Sequence, residues 1–109
     1  MRSSLKSALQ ELAANPDALF VKVMEHGSMS VEIYRPIHTD NQTPHLQDEL
    51  YVIISGSGNF FNNGETMAFQ PGDVLFVQAN IEHRFLNFTD DFATWVIFYG
   101  PPGGEGTKL

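Results

Sequence analysis

Hydrophobic and polar positions divide the chain into two unequal parts. Over residues 4–14, Leu5, Ala8, Leu9 and Leu12 recur at helical spacing. Ser3 or Ser4 can cap the run, and Asn15-Pro16 closes it. One short N-terminal helix is expected, covering an end or edge of the β-rich remainder. From Ala18 onward the pattern shortens to β-rich runs over 19–26, 30–37, 50–55, 59–62, 66–69, 74–77, 82–87 and 92–99. Turn signals separate them. Asn63-Gly64 is a hairpin pair, because both residues tolerate positive φ. Gln70-Pro71-Gly72-Asp73 has the Pro and Gly positions of a type II turn. Many short strands at this spacing predict an all-β sandwich or barrel. The expected organisation is a helix and connection over 1–17, a barrel over 18–100, and a mobile Gly- and Pro-rich tail over 101–109.

Composition narrows what such a barrel can do. At 109 residues and 42% hydrophobic, one domain with one core is expected. No apolar run approaches the roughly 20 residues of a membrane span. The first residues carry Glu11 and Asp17 and lack an apolar leader core, so a soluble, cytoplasmic protein is the expectation. Thirteen acids against six Lys and Arg give a formal charge of -7, which disfavours nucleic acid as a partner. The absence of Cys removes thiolate chemistry, disulfides and zinc ribbons. Any metal must therefore be held by His, carboxylate or neutral oxygen. The four His are His26, His38, His45 and His83.

Two segments carry candidate chemistry. If the stretch from Thr43 to Tyr51 is extended, Thr43, His45, Gln47, Glu49 and Tyr51 share one face. The run Val52-Ile53-Ile54 carries that strand into a core, so its polar row needs partners. Asp48 falls on the opposite face and reads as solvent-exposed. Further on, His83 alternates with Phe85 and Asn87. His38 reads as a loop residue and His26 as a surface or barrel-end residue. Of the aromatics, Phe60, Phe69, Phe76, Phe85, Phe88, Phe92, Trp95, Phe98 and Tyr99 read mostly as core, and the hydroxyls of Tyr34 and Tyr51 as able to reach a cavity.

These segments resemble the paired motifs of the cupin superfamily. The first motif ends in His, three residues, Glu, six residues, Gly, and His45, Glu49 and Gly56 reproduce it. In the second motif, Gly72, His83 and Asn87 stand at the family spacing. The resemblance implies a double-stranded β-helix (jelly-roll) barrel with one short N-terminal helix. It also implies a divalent transition metal (Fe, Mn, Zn or Ni) on His45, Glu49 and His83. The family's first-motif Gly falls on Ile37 and its first His on Thr43, and its second-motif Pro falls on Gln78 and Gly on Asn80. One of four ligands is thus replaced, and water, Gln47, Gln42 or His38 are the candidates for that place, with Gln47 ahead of His38 because it shares the predicted face.

By this resemblance the chain is expected to bind a small polar molecule. Gln42 and Gln47 would line the cofactor pocket, and Tyr51 would be a substrate contact or proton donor. An oxygenase- or isomerase-like enzyme is the leading expectation. A non-enzymatic ligand-binding or sensor module and a metal-free epimerase-like protein are the alternatives. A homodimer is expected from the family and from an apolar outer sheet face.

Overall fold

The computed structural model describes residues 1–106. Ser4 caps the helix α1 (Leu5–Ala13) by accepting a hydrogen bond from the Ser7 amide at 3.1 Å. Eight strands complete the chain: β1 (Phe20–His26), β2 (Met29–Tyr34), β3 (Asp48–Ser55), β4 (Gly58–Asn62), β5 (Glu65–Phe69), β6 (Val74–Val77), β7 (His83–Leu86) and β8 (Ala93–Tyr99). They form two antiparallel sheets, one in the order β1-β2-β8-β3-β6 and one in the order β5-β4-β7. This is the expected all-β jelly-roll barrel with one short helix.

Strand alternation decides what fills the barrel. Along β3, Tyr51 and Ile53 enter the space between the sheets, and Ile54 faces outward. Along β8, Val96 enters and Trp95 leaves. Phe85 of β7 sits at the centre of the core. Its ring lies 4.6 Å from Phe92, 4.7 Å from Phe60, 4.9 Å from Tyr51 and 5.3 Å from Phe69, centroid to centroid. Burial of each such ring contributes roughly 1.5–3 kcal/mol.

The helix packs on the outer face of the larger sheet rather than on an end. Ala8 and Leu12 meet Ile33, flanked by Val21, Val23, Ile54 and Trp95. Trp95 is therefore covered by the helix and is not part of the barrel interior. Phe76 also departs from the expectation of core, because its parity on β6 turns it outward and leaves it exposed.

Turns follow their local chemistry. Asn63 and Gly64 have φ of 51° and 86°, as the hairpin signal requires, and Asn80 takes φ of 66° where the family motif has Gly. Gly56 could not be replaced without strain. A Cβ there would lie 2.5 Å from the Cα of Phe92.

The tail expected to be mobile is tied down over 101–106, and 107–109 lie outside the described residues. The Gly103 amide donates to the Leu46 carbonyl at 2.7 Å, and the Glu105 amide to Asp48 Oδ2 at 2.8 Å.

Candidate metal centre

The barrel brings together three of the predicted site residues from three places in the chain. Glu49 enters from β3 in the larger sheet, and His83 opens β7 in the smaller one. His45 comes from the loop before β3. Its carbonyl accepts the Asn80 amide at 2.7 Å, which pins that loop to the turn preceding β7. Its ring stands edge-on to Phe98 with centroids 4.9 Å apart. One ligand atom from each of His45, Glu49 and His83 lies within 4.8 Å of the others.

The polar atoms of this cluster lack ordinary partners. Glu49 is 1% exposed, and among the described residues neither carboxylate oxygen has a hydrogen-bond partner. His83 Nε2 lies 2.7 Å from Glu49 Oε1, at hydrogen-bond distance but without hydrogen-bond direction. His83 Nδ1 is 2.8 Å from the Ile81 carbonyl, which only accepts, so Nδ1 carries a proton. With Nδ1 protonated, a neutral His83 leaves the lone pair of Nε2 beside a carboxylate oxygen, and a bound cation would satisfy both atoms. Nδ1–H donated to a backbone carbonyl with Nε2 left free is also the arrangement that orients a metal-ligating His. The donor set, two imidazoles and one carboxylate, fits a divalent transition metal.

The electrostatics agree with that geometry. Burial pulls His45 below its ordinary value, with Glu49 opposing. His45 is thus neutral near pH 7, as a ligand must be. Burial also acts to lower His83, but its contact with Glu49 and the Ile81 carbonyl outweigh it and leave the value raised. Burial and the nearby Glu49 push the Tyr51 hydroxyl well above its ordinary value, so it keeps its proton.

The other predicted residues divide. Gln42 lies beside the cluster: its Oε1 accepts from the Tyr51 hydroxyl at 2.9 Å and stands 3.3 Å from His45 Nε2. Its Nε2 donates to Asp40 Oδ2 at 2.7 Å. A carboxylate only accepts, so this bond sets which end of the amide faces His45. Tyr51 is fully buried, and its hydroxyl donates to Gln42 Oε1. Gln47 is not at the site. Its amide donates to the Ser28 carbonyl at 2.8 Å and the Gly100 carbonyl at 3.0 Å. Thr43, His38 and His26 are exposed.

Asp48 reverses its expected exposure. It is buried, and its carboxylate accepts from the amides of Ala79 and Glu105.

Sequence reasoning missed two acids near the site. Asp40 accepts four hydrogen bonds, from the Tyr34 hydroxyl at 2.6 Å, the Gln42 amide at 3.2 Å, Gln42 Nε2 at 2.7 Å and the Phe85 amide at 2.8 Å. Glu32 shares the inward face of β2 with Tyr34 and lines a cavity of about 620 Å³ whose wall also includes His45 and Gln42. Strand parity with Tyr34 could have found Glu32. Asp40 lies in a loop, where no periodicity reports on burial.

A sequence profile described as the Cupin domain matches residues 30–99. The chain belongs to the cupin family. An uncharacterized protein of Streptomyces coelicolor is 34% identical to this cupin over 93 residues, covering 84% of the chain and 88% of the relative. In the solved structures, a Cupin 2 conserved barrel domain protein from Salinispora arenicola aligns with a TM-score of 0.63 at 17% identity, covering 74% of each chain. A proposed mannose-6-phosphate isomerase from Ralstonia eutropha aligns with a TM-score of 0.60 at 25% identity, covering 79% of this cupin and 87% of that chain. No helix among the described residues is long and apolar enough to cross a membrane.

Proposed function

We propose that this cupin holds one divalent transition metal (Fe, Mn, Zn or Ni) on His45, Glu49 and His83, and acts as a metal-dependent enzyme of the cytoplasm on a small polar molecule in the adjoining cavity. The observation that carries the reading is the buried Glu49–His83 pair, whose facing atoms have no hydrogen-bond partner. Open coordination positions beside a cavity are what a catalytic centre needs. Gln42 is the side chain that supplies a further oxygen where the family's first His is replaced by Thr43. Its amide is held by Tyr51 and Asp40, so this oxygen stays directed at the His45 side. When bound, the metal would supply Lewis acidity or, as iron, oxygen activation. Tyr51 keeps its proton and positions Gln42. His45, partly exposed at the cavity wall, is the ligand nearest an arriving molecule.

The test is metal content. Protein produced with Fe, Mn, Ni and Zn supplied should carry about one equivalent of a transition metal by elemental analysis, and His45→Ala should lose most of it, as expected for a three-ligand site deprived of one ligand. Wild-type protein with no metal above background would sink the reading. Oxygen uptake and isomerisation assays on metal-loaded protein then separate an enzyme from a binding module.

A homodimer is part of the same proposal. β6 is an edge strand, and on the outer face Phe76 stands opposite Leu50 and Val74 opposite Val52. Val74 is 63% and Phe76 49% exposed. The helix covers the other end of this face and leaves these side chains bare, so a second copy presenting the same patch would bury them. Sedimentation should give a dimer mass for the wild type and a monomer for Phe76→Arg. A wild-type monomer would refute the dimer.

A further inference from the structure

The cavity beside the metal centre has a charge pattern that the family and the metal site do not explain. Its walls combine the apolar side chains of Leu19, Phe20, Val96 and Phe98 with the carboxylates of Asp17 and Glu32. No Lys or Arg lines it among the described residues. Glu32 stands in one ladder row with Lys22, Val96 and, across β8, Tyr51. Lys22 is the neighbouring cation, but its ammonium turns to Glu25 at 3.2 Å. Glu32 therefore makes no salt bridge within 4.0 Å among the described residues, although Lys22 still lowers its pKa at longer range. Burial outweighs Lys22 and lifts the Glu32 carboxyl above its ordinary range, with Glu49 adding to the rise. Glu49, outside this lining, has no hydrogen-bond partner on either oxygen among the described residues.

A phosphate or carboxylate entering this space meets acids and no organic cation. A positively charged group meets the half-buried Glu32 without a competing salt bridge, and its apolar body meets Phe20 and Phe98. The geometry points to a small organic cation with an apolar body, an amine in the simplest case, as the ligand class of this cavity, with Glu32 as the residue that sets the charge preference. This rests on the cavity being the ligand site of the proposed metal centre, and it separates this cupin from any neighbour that acts on a sugar phosphate.

Benzylamine, benzyl alcohol and benzoate are near-isosteric probes of positive, zero and negative charge. Their dissociation constants would be measured by calorimetry or ligand-observed NMR near neutral pH, on metal-free and on metal-loaded protein. Metal-free protein isolates the wall charges, because benzoate can also coordinate a metal directly. Benzylamine should bind metal-free wild type about tenfold more tightly than benzoate, the size expected for one nearby, partly solvated charge. Glu32→Gln should bring the two within about threefold. Glu32→Lys should invert the order, which shows that any loss in the first variant is not misfolding.

Equal or tighter binding of benzoate to metal-free wild type would overturn the inference. So would an unchanged ratio in Glu32→Gln, or no benzylamine binding at millimolar concentration. Elemental analysis of the same samples keeps the two readings apart. An absent metal with the charge preference intact removes the metal proposal and leaves this one standing.

Discussion

Glu49→Gln should abolish metal binding and, at the same time, make the metal-free protein more stable. Glu49 is almost completely buried and its oxygens make no hydrogen bond. A buried carboxylate with imperfect partners costs several kcal/mol, which a bound divalent ion would offset. Gln has the same shape without the charge, and it can meet His83 Nε2 through its amide. Above the raised folded value of His83, where that ring is neutral, metal-free stability should rise by about 1–3 kcal/mol, and metal affinity should fall at least about 100-fold. Unfolding curves with and without Zn or Mn, joined to a binding titration, read both. A variant that is less stable without metal, or that still gains stability from metal, would contradict the role given to Glu49.

The same experiment has a pH dependence of determined sign. The folded value of His83 is raised, so its proton stabilises the metal-free fold. That contribution is complete below the ordinary His value of about 6.5 and is lost as pH rises through the raised folded value. His45 is lowered by burial and acts in the opposite sense, losing stability as pH falls below the ordinary value. Metal binding requires both rings unprotonated at their ligand nitrogens. The stabilisation by metal should therefore be small near about pH 5.5 and grow toward about pH 8. In Glu49→Gln the partner that raises His83 is gone, so the fall in metal-free stability with rising pH should flatten.

Asp40→Ala should destabilise the fold by about 3 kcal/mol or more, because each buried donor left without a partner costs about 1–3 kcal/mol. Asp40 accepts from Tyr34, from Phe85 and twice from Gln42. These partners lie on β2, on β7 and in the loop between β2 and β3, so one carboxylate ties the two sheets to the loop beside the candidate metal centre. The midpoint of thermal unfolding should drop by roughly 12–20 °C for a domain of this size. Gln42 would lose the contact that sets its amide, so metal retention should weaken as well. Asp40→Asn keeps one accepting oxygen and should fall between. A shift below about 1 kcal/mol in Asp40→Ala, within the range of ordinary surface substitutions, would show that the network is not structural.

Much of the fold is legible in the sequence because the relevant signals are local. Helical spacing of Leu5, Ala8, Leu9 and Leu12 and the Asn15-Pro16 stop put the helix within a residue or so of Leu5–Ala13. Alternation and turn residues locate all eight strands to within three residues at either end. The structure departs from expectation where a local rule is extended past its element. The predicted face running from Thr43 through Gln47 requires an extended strand, but β3 begins at Asp48. Gln47 consequently turns to backbone carbonyls at Ser28 and Gly100, and Asp48 is buried against amides from Ala79 and Glu105. Phe76 lies outside the core because hydrophobicity alone does not say which face of an edge strand is covered.

The sequence by itself determined an all-β sandwich or barrel, since alternation and turn chemistry act over a few residues and need no partner to be read, and the cupin resemblance narrowed it to the barrel. The resemblance to the cupin motifs also picked out His45, Glu49 and His83 as a set, because motif spacing is a property of the chain. Only the tertiary structure decided what surrounds them. The His83–Glu49 contact joins the two sheets, the hydrogen bonds of Asp40 join residues up to 45 positions apart, and Glu32 acquires meaning only from the cavity it faces. Burial and electrostatic pairing depend on distance in space, and one-dimensional spacing carries that information only where a regular element repeats it.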